Sequence, residues 1–105
     1  MNHTPGPWFS VGAWVEHEDD EVPDICTCNP EDLGQGHLKR SYEEMCANAK
    51  LIAAAPEMLD ALVAIGLIAS TSLLVLDKIK DPSVKASLKS IQDIVQEIIV
   101  SEEEL

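Results

Sequence analysis

Ala47-Asn48-Ala49-Lys50-Leu51-Ile52-Ala53-Ala54-Ala55-Pro56-Glu57-Met58-Leu59-Asp60-Ala61-Leu62 carries two helices and the joint between them. Pro56 has no backbone N–H to donate and disfavours helix at the residue before it. A helix arriving from the N-terminal side must therefore end near Ala55. A second helix can start with Pro56 in its first turn, and Glu57 suits the positive end of its dipole. Upstream, Ser41 followed by Glu44 three residues later is a capping box, so the first helix begins at about Tyr42. The stretch predicts two helices with a sharp joint, rather than one kinked helix.

The second helix is expected to continue to about Lys80. Its segment Ala61–Leu76 carries no charge, with Asp60 and Asp77 at its edges and Ser70-Thr71-Ser72 inside it. A helix apolar on every side is buried on every side or spans a membrane. Sixteen residues fall short of the roughly 20 that a span needs, so no membrane contact is expected. Burial as the central helix of an oligomer is predicted instead, with Gly66 and Ala69 allowing close approach. Asp81-Pro82 then supplies an N-cap and a first helical residue for a third helix, running to about Val100. Its apolar positions Val84, Leu88, Ile91, Val95 and Ile98 recur at heptad-like steps, widened by Ile94 and Ile99. With Leu67 and Leu74 these are the expected oligomer interface. The Ser101-Glu102-Glu103-Glu104 tail reads as frayed.

Residues 1–41 have another character. Pro5-Gly6-Pro7 forces a turned entry. Trp8 to Val15 reads as one strand with an irregularity at Gly12. Glu18-Asp19-Asp20-Glu21 is a polar turn, and Val22 to Cys28 reads as the returning strand, with Pro23 allowed at an edge. Asn29 to Lys39 reads as a loop. The whole is an α+β chain: an N-terminal antiparallel β-hairpin or small sheet packed on a helical C-terminal half, in a single domain of 105 residues.

Composition narrows the function. Nineteen acidic residues against seven basic ones give a net charge of −12, which speaks against direct nucleic-acid binding, since phosphates need clustered Lys and Arg. An acidic surface fits a basic partner or imitation of phosphates. Three cysteines, Cys26, Cys28 and Cys46, form an odd set that fits a reducing compartment. The N-terminus shows neither the basic nor the apolar region of a secretion signal.

His3-Thr4-Pro5-Gly6-Pro7-Trp8 at the start, a hairpin, and then the Ala47–Leu62 block together resemble a group of short phage and prophage proteins. The resemblance covers about residues 3–65, with 29–40 as a variable insert and the last 40 or so residues outside it. It implies viral origin and a site of action in the cytoplasm of an infected bacterium. It assigns no residue role.

Each candidate for chemistry competes with a structural alternative. Cys26, Cys28, Cys46 and His37 could offer four zinc ligands, but a C-x-C spacing in a strand is poor for zinc; buried small residues explain them better, and no metal or cofactor is expected. His3, His17 and His37 sit in polar, turn-like settings that suggest no catalytic set, so the chain is not expected to be an enzyme. The acidic run Glu16, Glu18, Asp19, Asp20, Glu21 and Asp24 is the candidate partner-binding surface, its alternative being a solvated turn. Trp8 and Trp14 with Lys39 and Arg40 could stack and hold a small nucleotide, their alternative being a cover for the helices. The sequence therefore predicts a non-enzymatic phage accessory protein that inhibits a host defence by binding a host protein as a homo-oligomer. The other readings are an oligomeric sponge for a nucleotide immune signal, and a structural or regulatory interaction protein.

Overall fold

The computed structural model describes residues 2–75 and 81–104, and the chain divides into two compact units, His3–Met58 and Leu59–Leu105. In the first, strands β1 (Trp8–Val11), β2 (Trp14–His17) and β3 (Cys26–Thr27) form an antiparallel sheet in the order β1-β2-β3. The expected strand Trp8–Val15 is thus two strands folded back on each other. Val11 pairs with Trp14, which leaves Gly12-Ala13 as a two-residue loop. Gly12 takes φ +57° at the first loop position, a conformation a glycine adopts without steric cost. A Cβ there would also stand 2.9 Å from the Tyr42 hydroxyl. The acidic turn lies where expected, between β2 and the returning strand, although that strand is only Cys26–Thr27.

The expected loop after Cys28 contains a 3-10 turn, Pro30–Leu33. Asn29 caps it by accepting from the Glu31 N–H, Pro30 opens it, and Gly34 closes it at φ +71°. Helix α1 (Tyr42–Ala53) starts as predicted, the Ser41 Oγ accepting from the Glu44 N–H at 3.2 Å. Its dipole is complemented by Glu43 and Glu44 in the first turn and Lys50 in the last.

The core of this unit is Ala13, Val15, Cys28, Ala49 and Ala53, with Trp8, Ile25, Cys26, Met45 and Ile52 packed against it. Met45, Ala49, Ile52 and Ala53 recur at steps of four, three and one, one face of a helix. The two alanines on it let α1 lie close to the sheet. The start of the chain is tied in as well. The Trp8 indole N–H donates to the Thr4 carbonyl at 3.1 Å, and a Cβ on Gly6 would stand 2.9 Å from Pro56 Cβ. The Pro-Gly-Pro turn thus rests on the helix joint.

Ala54 is that joint, and α2 (Ala55–Val75) begins immediately after it, with Pro56 in its first turn. The expected stretch up to Lys80 lies outside the described residues. In the second unit α2 faces α3 (Pro82–Glu104), which opens as predicted: Asp81 Oδ1 accepts from the Ser83 N–H at 2.9 Å. The helix continues through Glu104 where a frayed tail was expected. Gln92 Nε2 donates to Ser70 Oγ at 2.9 Å, and a Cβ on Gly66 would stand 2.8 Å from Val95 Cγ1. Rising numbers on α2 meet falling numbers on α3, so the helices run antiparallel.

Ala69 and Val95 are buried in this seam, and Leu88 is half-buried. Val95, expected at an oligomer interface, thus packs against α2 within one chain. The expectation of an α2 covered all round is not met within the chain. Its stretch Ala55–Leu74, 20 residues of mean hydropathy 1.7, is 6% buried. That stretch also corrects the length argument. Counting only the charge-free residues stopped at Asp60, whereas a window tolerating Glu57 and Asp60 is long and apolar enough to cross a membrane.

Candidate functional site

The acidic segment is an ordered loop. The Asp19 N–H donates to His17 Nδ1 at 2.9 Å, and Asp19 Oδ1 accepts from the Glu21 N–H at 2.9 Å. The Val22 N–H donates to the Asp19 carbonyl at 3.0 Å and closes the turn. Because His17 Nδ1 accepts, the ring proton belongs on Nε2, which then donates to the Pro5 carbonyl at 3.1 Å. One histidine therefore ties the acidic loop to the Pro-Gly-Pro turn. Glu18, Asp19, Asp20, Glu21 and Asp24 are exposed and Glu16 is half-buried. The structure brings these six carboxylates onto one end of β2 and the loop after it. Such a surface can attract cationic groups and hold the loop's shape while doing so.

The nucleotide set is not brought together in the same way. Cross-strand partners share a face of a sheet and neighbours along a strand alternate. Trp8 pairs with His17 and Val11 with Trp14, so Trp8 lies on the face with Val15 and the core, and Trp14 on the opposite face with Phe9 and Val11. Two rings on opposite faces cannot clamp one base within a chain. Lys39 is exposed, and Arg40 Nε lies 3.6 Å from Glu44 Oε1 on the first turn of α1. The same register shows an apolar patch that sequence reasoning missed: Phe9, Val11 and Trp14 are all exposed on the outer face. Placing the turn at Gly12 is what would have revealed it.

Cys26 and Cys28 fall on the core face, as a C-x-C in a strand requires. Burial, and then the neighbouring Cys28, push the Cys26 thiol up from its ordinary value, which keeps it protonated and a poor nucleophile at neutral pH. Cys46 sits on α1, hydrogen-bonded to Tyr42, and this bond is the first cause of the raised Tyr42 phenol. His37 is exposed. Among the described residues, no three of His, Cys, Asp and Glu gather as a metal site would require.

The remaining feature is the outside of the helical hairpin. Leu67 is 67% exposed, Ile68 65% and Leu74 80%; on α3, Ile94 is 60% exposed, and Val84, Ile91 and Ile98 are exposed too. Five of the seven predicted interface residues, Leu67, Leu74, Val84, Ile91 and Ile98, are thus exposed, while Leu88 is half-buried and Val95 is buried against α2.

No curated protein and no solved structure matches the chain. A family model described as Salmonella phage P22 protein Y8K6 matches residues 1–99, which carries the family past the expected limit near residue 65 and takes in α2 and most of α3. The chain therefore belongs to this phage protein family.

Proposed function

We propose that this phage protein is a non-enzymatic accessory factor of the infected bacterial cytoplasm. It inhibits a host defence by binding a host protein through the acidic loop, and it works as a homo-oligomer. The observation that carries the reading is the ordered, exposed loop itself. Five exposed carboxylates stand within seven positions, Glu18 to Asp24, and the loop's own hydrogen bonds fix its backbone. A partner with clustered Lys and Arg, such as a nucleic-acid-binding defence protein, is the complement of that surface. The opposed positions of Trp8 and Trp14 make a protein-binding role preferable to a nucleotide sponge.

The experiment is a phage plaque assay on hosts that each carry one defence system. The wild-type gene is compared with Glu18→Lys/Asp20→Lys, which keeps the Asp19 turn. Wild type should restore plaques on at least one host, and the reversed-charge variant should lose most of that effect. Equal plaquing with both genes on every host rules out the acidic loop as the acting surface.

A further inference from the structure

We infer that the outer face of the N-terminal sheet docks an arginine-bearing segment of a partner protein, one guanidinium stacking on Trp14 and pairing with Glu16. This rests on the basic partner proposed above and gives that partner a second point of attachment, beside the acidic loop.

The strand register assembles the surface. Val11 lies directly across from Trp14 and Phe9 across from Glu16, so four side chains form a two-by-two block on one face. Trp14 also pairs with Thr27, which adds Thr27 to that face, and the Thr27 hydroxyl donates to Asp32 Oδ2 at 2.9 Å. From edge to edge the face reads Phe9 and Val11, then Trp14 and Glu16, then Thr27 with Asp32. Helix α1 packs on the other face, where Val15 is fully buried. A sheet with one face packed and one in water alternates apolar inward with polar outward. Here the outward face holds Phe9 at 48% exposure, Val11 at 53% and Trp14 at 40%. Strand alternation alone does not account for them, and aromatic residues are what protein interfaces collect.

Charge selects the occupant. Carboxylates stand in the block itself, at Glu16, and at its β3 margin, at Asp32. Glu16 also leads along the chain into the acidic loop. A second copy would set these groups against their own like charges, in a chain of net charge −12. The cytoplasmic leaflet of a bilayer is anionic and repels them too. A cationic protein segment meets neither cost. Arginine suits the face better than lysine, because its planar guanidinium stacks on an indole while its fork of donors pairs with a carboxylate. Trp14 and Glu16 are two residues apart on one strand, about 7 Å, a span one guanidinium bridges. An apolar neighbour in the segment then meets Phe9 and Val11.

The test is nuclear magnetic resonance of the full, isotope-labelled chain, titrated with a blocked pentapeptide carrying two arginines around a leucine and with its lysine twin. Trp14→Ala identifies which of the two indole N–H signals is Trp14's, the other being that of Trp8 on the inner face. The arginine peptide should move the Trp14 signal saturably and leave that of Trp8 nearly still. The lysine twin should bind about threefold more weakly. Glu16→Gln should raise the dissociation constant for the arginine peptide by about two- to fivefold, and Trp14→Ala, read on the Phe9 and Val11 amides, by more. If Trp14→Ala loses its spectral dispersion, the isosteric Glu16→Gln decides. An unmoved Trp14 signal at peptide excess, equal affinity for both peptides, or shifts confined to residues 18–24 overturns the inference. A Trp14 signal that moves on dilution of the chain alone assigns the face to a second copy and overturns it too. The plaque assay separates this face from the acidic loop. Loss of plaques with Glu16→Gln or Trp14→Ala, on a host where the loop variant also fails, supports both surfaces. Loss with the loop variant alone keeps the acidic loop and overturns this face. If wild type rescues no host, the defence-inhibitor proposal falls and the peptide titration still decides the face.

Discussion

The two units use apolar residues in opposite ways. The N-terminal unit has a small closed core built from Ala13, Val15, Cys28, Ala49 and Ala53, in which only Val15 is large and fully buried. In the helical hairpin the buried hydrophobics among the described residues are Ala69 and Val95, while large aliphatic residues such as Leu67, Ile68, Leu74 and Ile94 are exposed. Small side chains bring α1 close to the sheet and finish that packing within one chain. Large aliphatic ones on α2 and α3 remain exposed within the chain. Size of side chain separates the two interiors: small residues close the one, and large aliphatic residues stay exposed around the other.

The sharpest way to break the comparison is one substitution made in both places. Val15→Asp puts an unpaired charge into the closed core and should cost on the order of 4 kcal/mol, read as a fall in the urea midpoint. Leu67→Asp places the same charge on an open face and should move the midpoint of the dilute chain little. Comparable losses at both sites would dissolve the distinction. Next in size, Gly66→Leu forces a side chain into the 2.8 Å approach to Val95 and should cost about 2 kcal/mol by thermal melting, even though leucine favours helix more than glycine does. Ser41→Ala removes the α1 cap and should cost about 1 kcal/mol on the same melt.

The smallest effect concerns pH. Hydrogen bonds from the Ser83 side chain and backbone lower the Asp81 carboxyl below its ordinary value. A group lowered in the folded state stabilises it above the ordinary value, and this is lost as pH falls through the lowered one. The gap in melting temperature between wild type and Asp81→Ala should therefore be full at about pH 5 and close as pH falls toward about 2. Coincident curves would remove the role of Asp81 at the start of α3.

What was legible in the sequence follows the same division. Helix starts were readable because their signals are local: Ser41 with Glu44, Pro56 with Glu57, and Asp81 with Pro82 each act within a few residues. The Gly12 turn was not read, because Trp8 to Val15 is apolar and aromatic on both sides of it and Gly-Ala is a weaker hairpin signal than Asn-Gly. Splitting the strand there also separates Trp8 from Trp14, which is why their joint site does not form. The turn at Pro30 did have a signal, Asn29 before Pro30, but it lies in a stretch whose glycines read as loop. The partner of each apolar stripe was beyond reach, since a heptad of aliphatics has the same pattern whether it meets its own chain or another.

Gly6 resting on Pro56 has a consequence for how the protein comes into being. The ribosome releases the Pro-Gly-Pro segment before α1, yet the surface it settles on exists only after α1 and the joint have followed it out. Until then the bond from His17 to the Pro5 carbonyl is what can hold the turn, while most of α1 is still to be made. A nascent chain halted before Pro56 should thus have a protease-sensitive start, and one halted well beyond it a protected start.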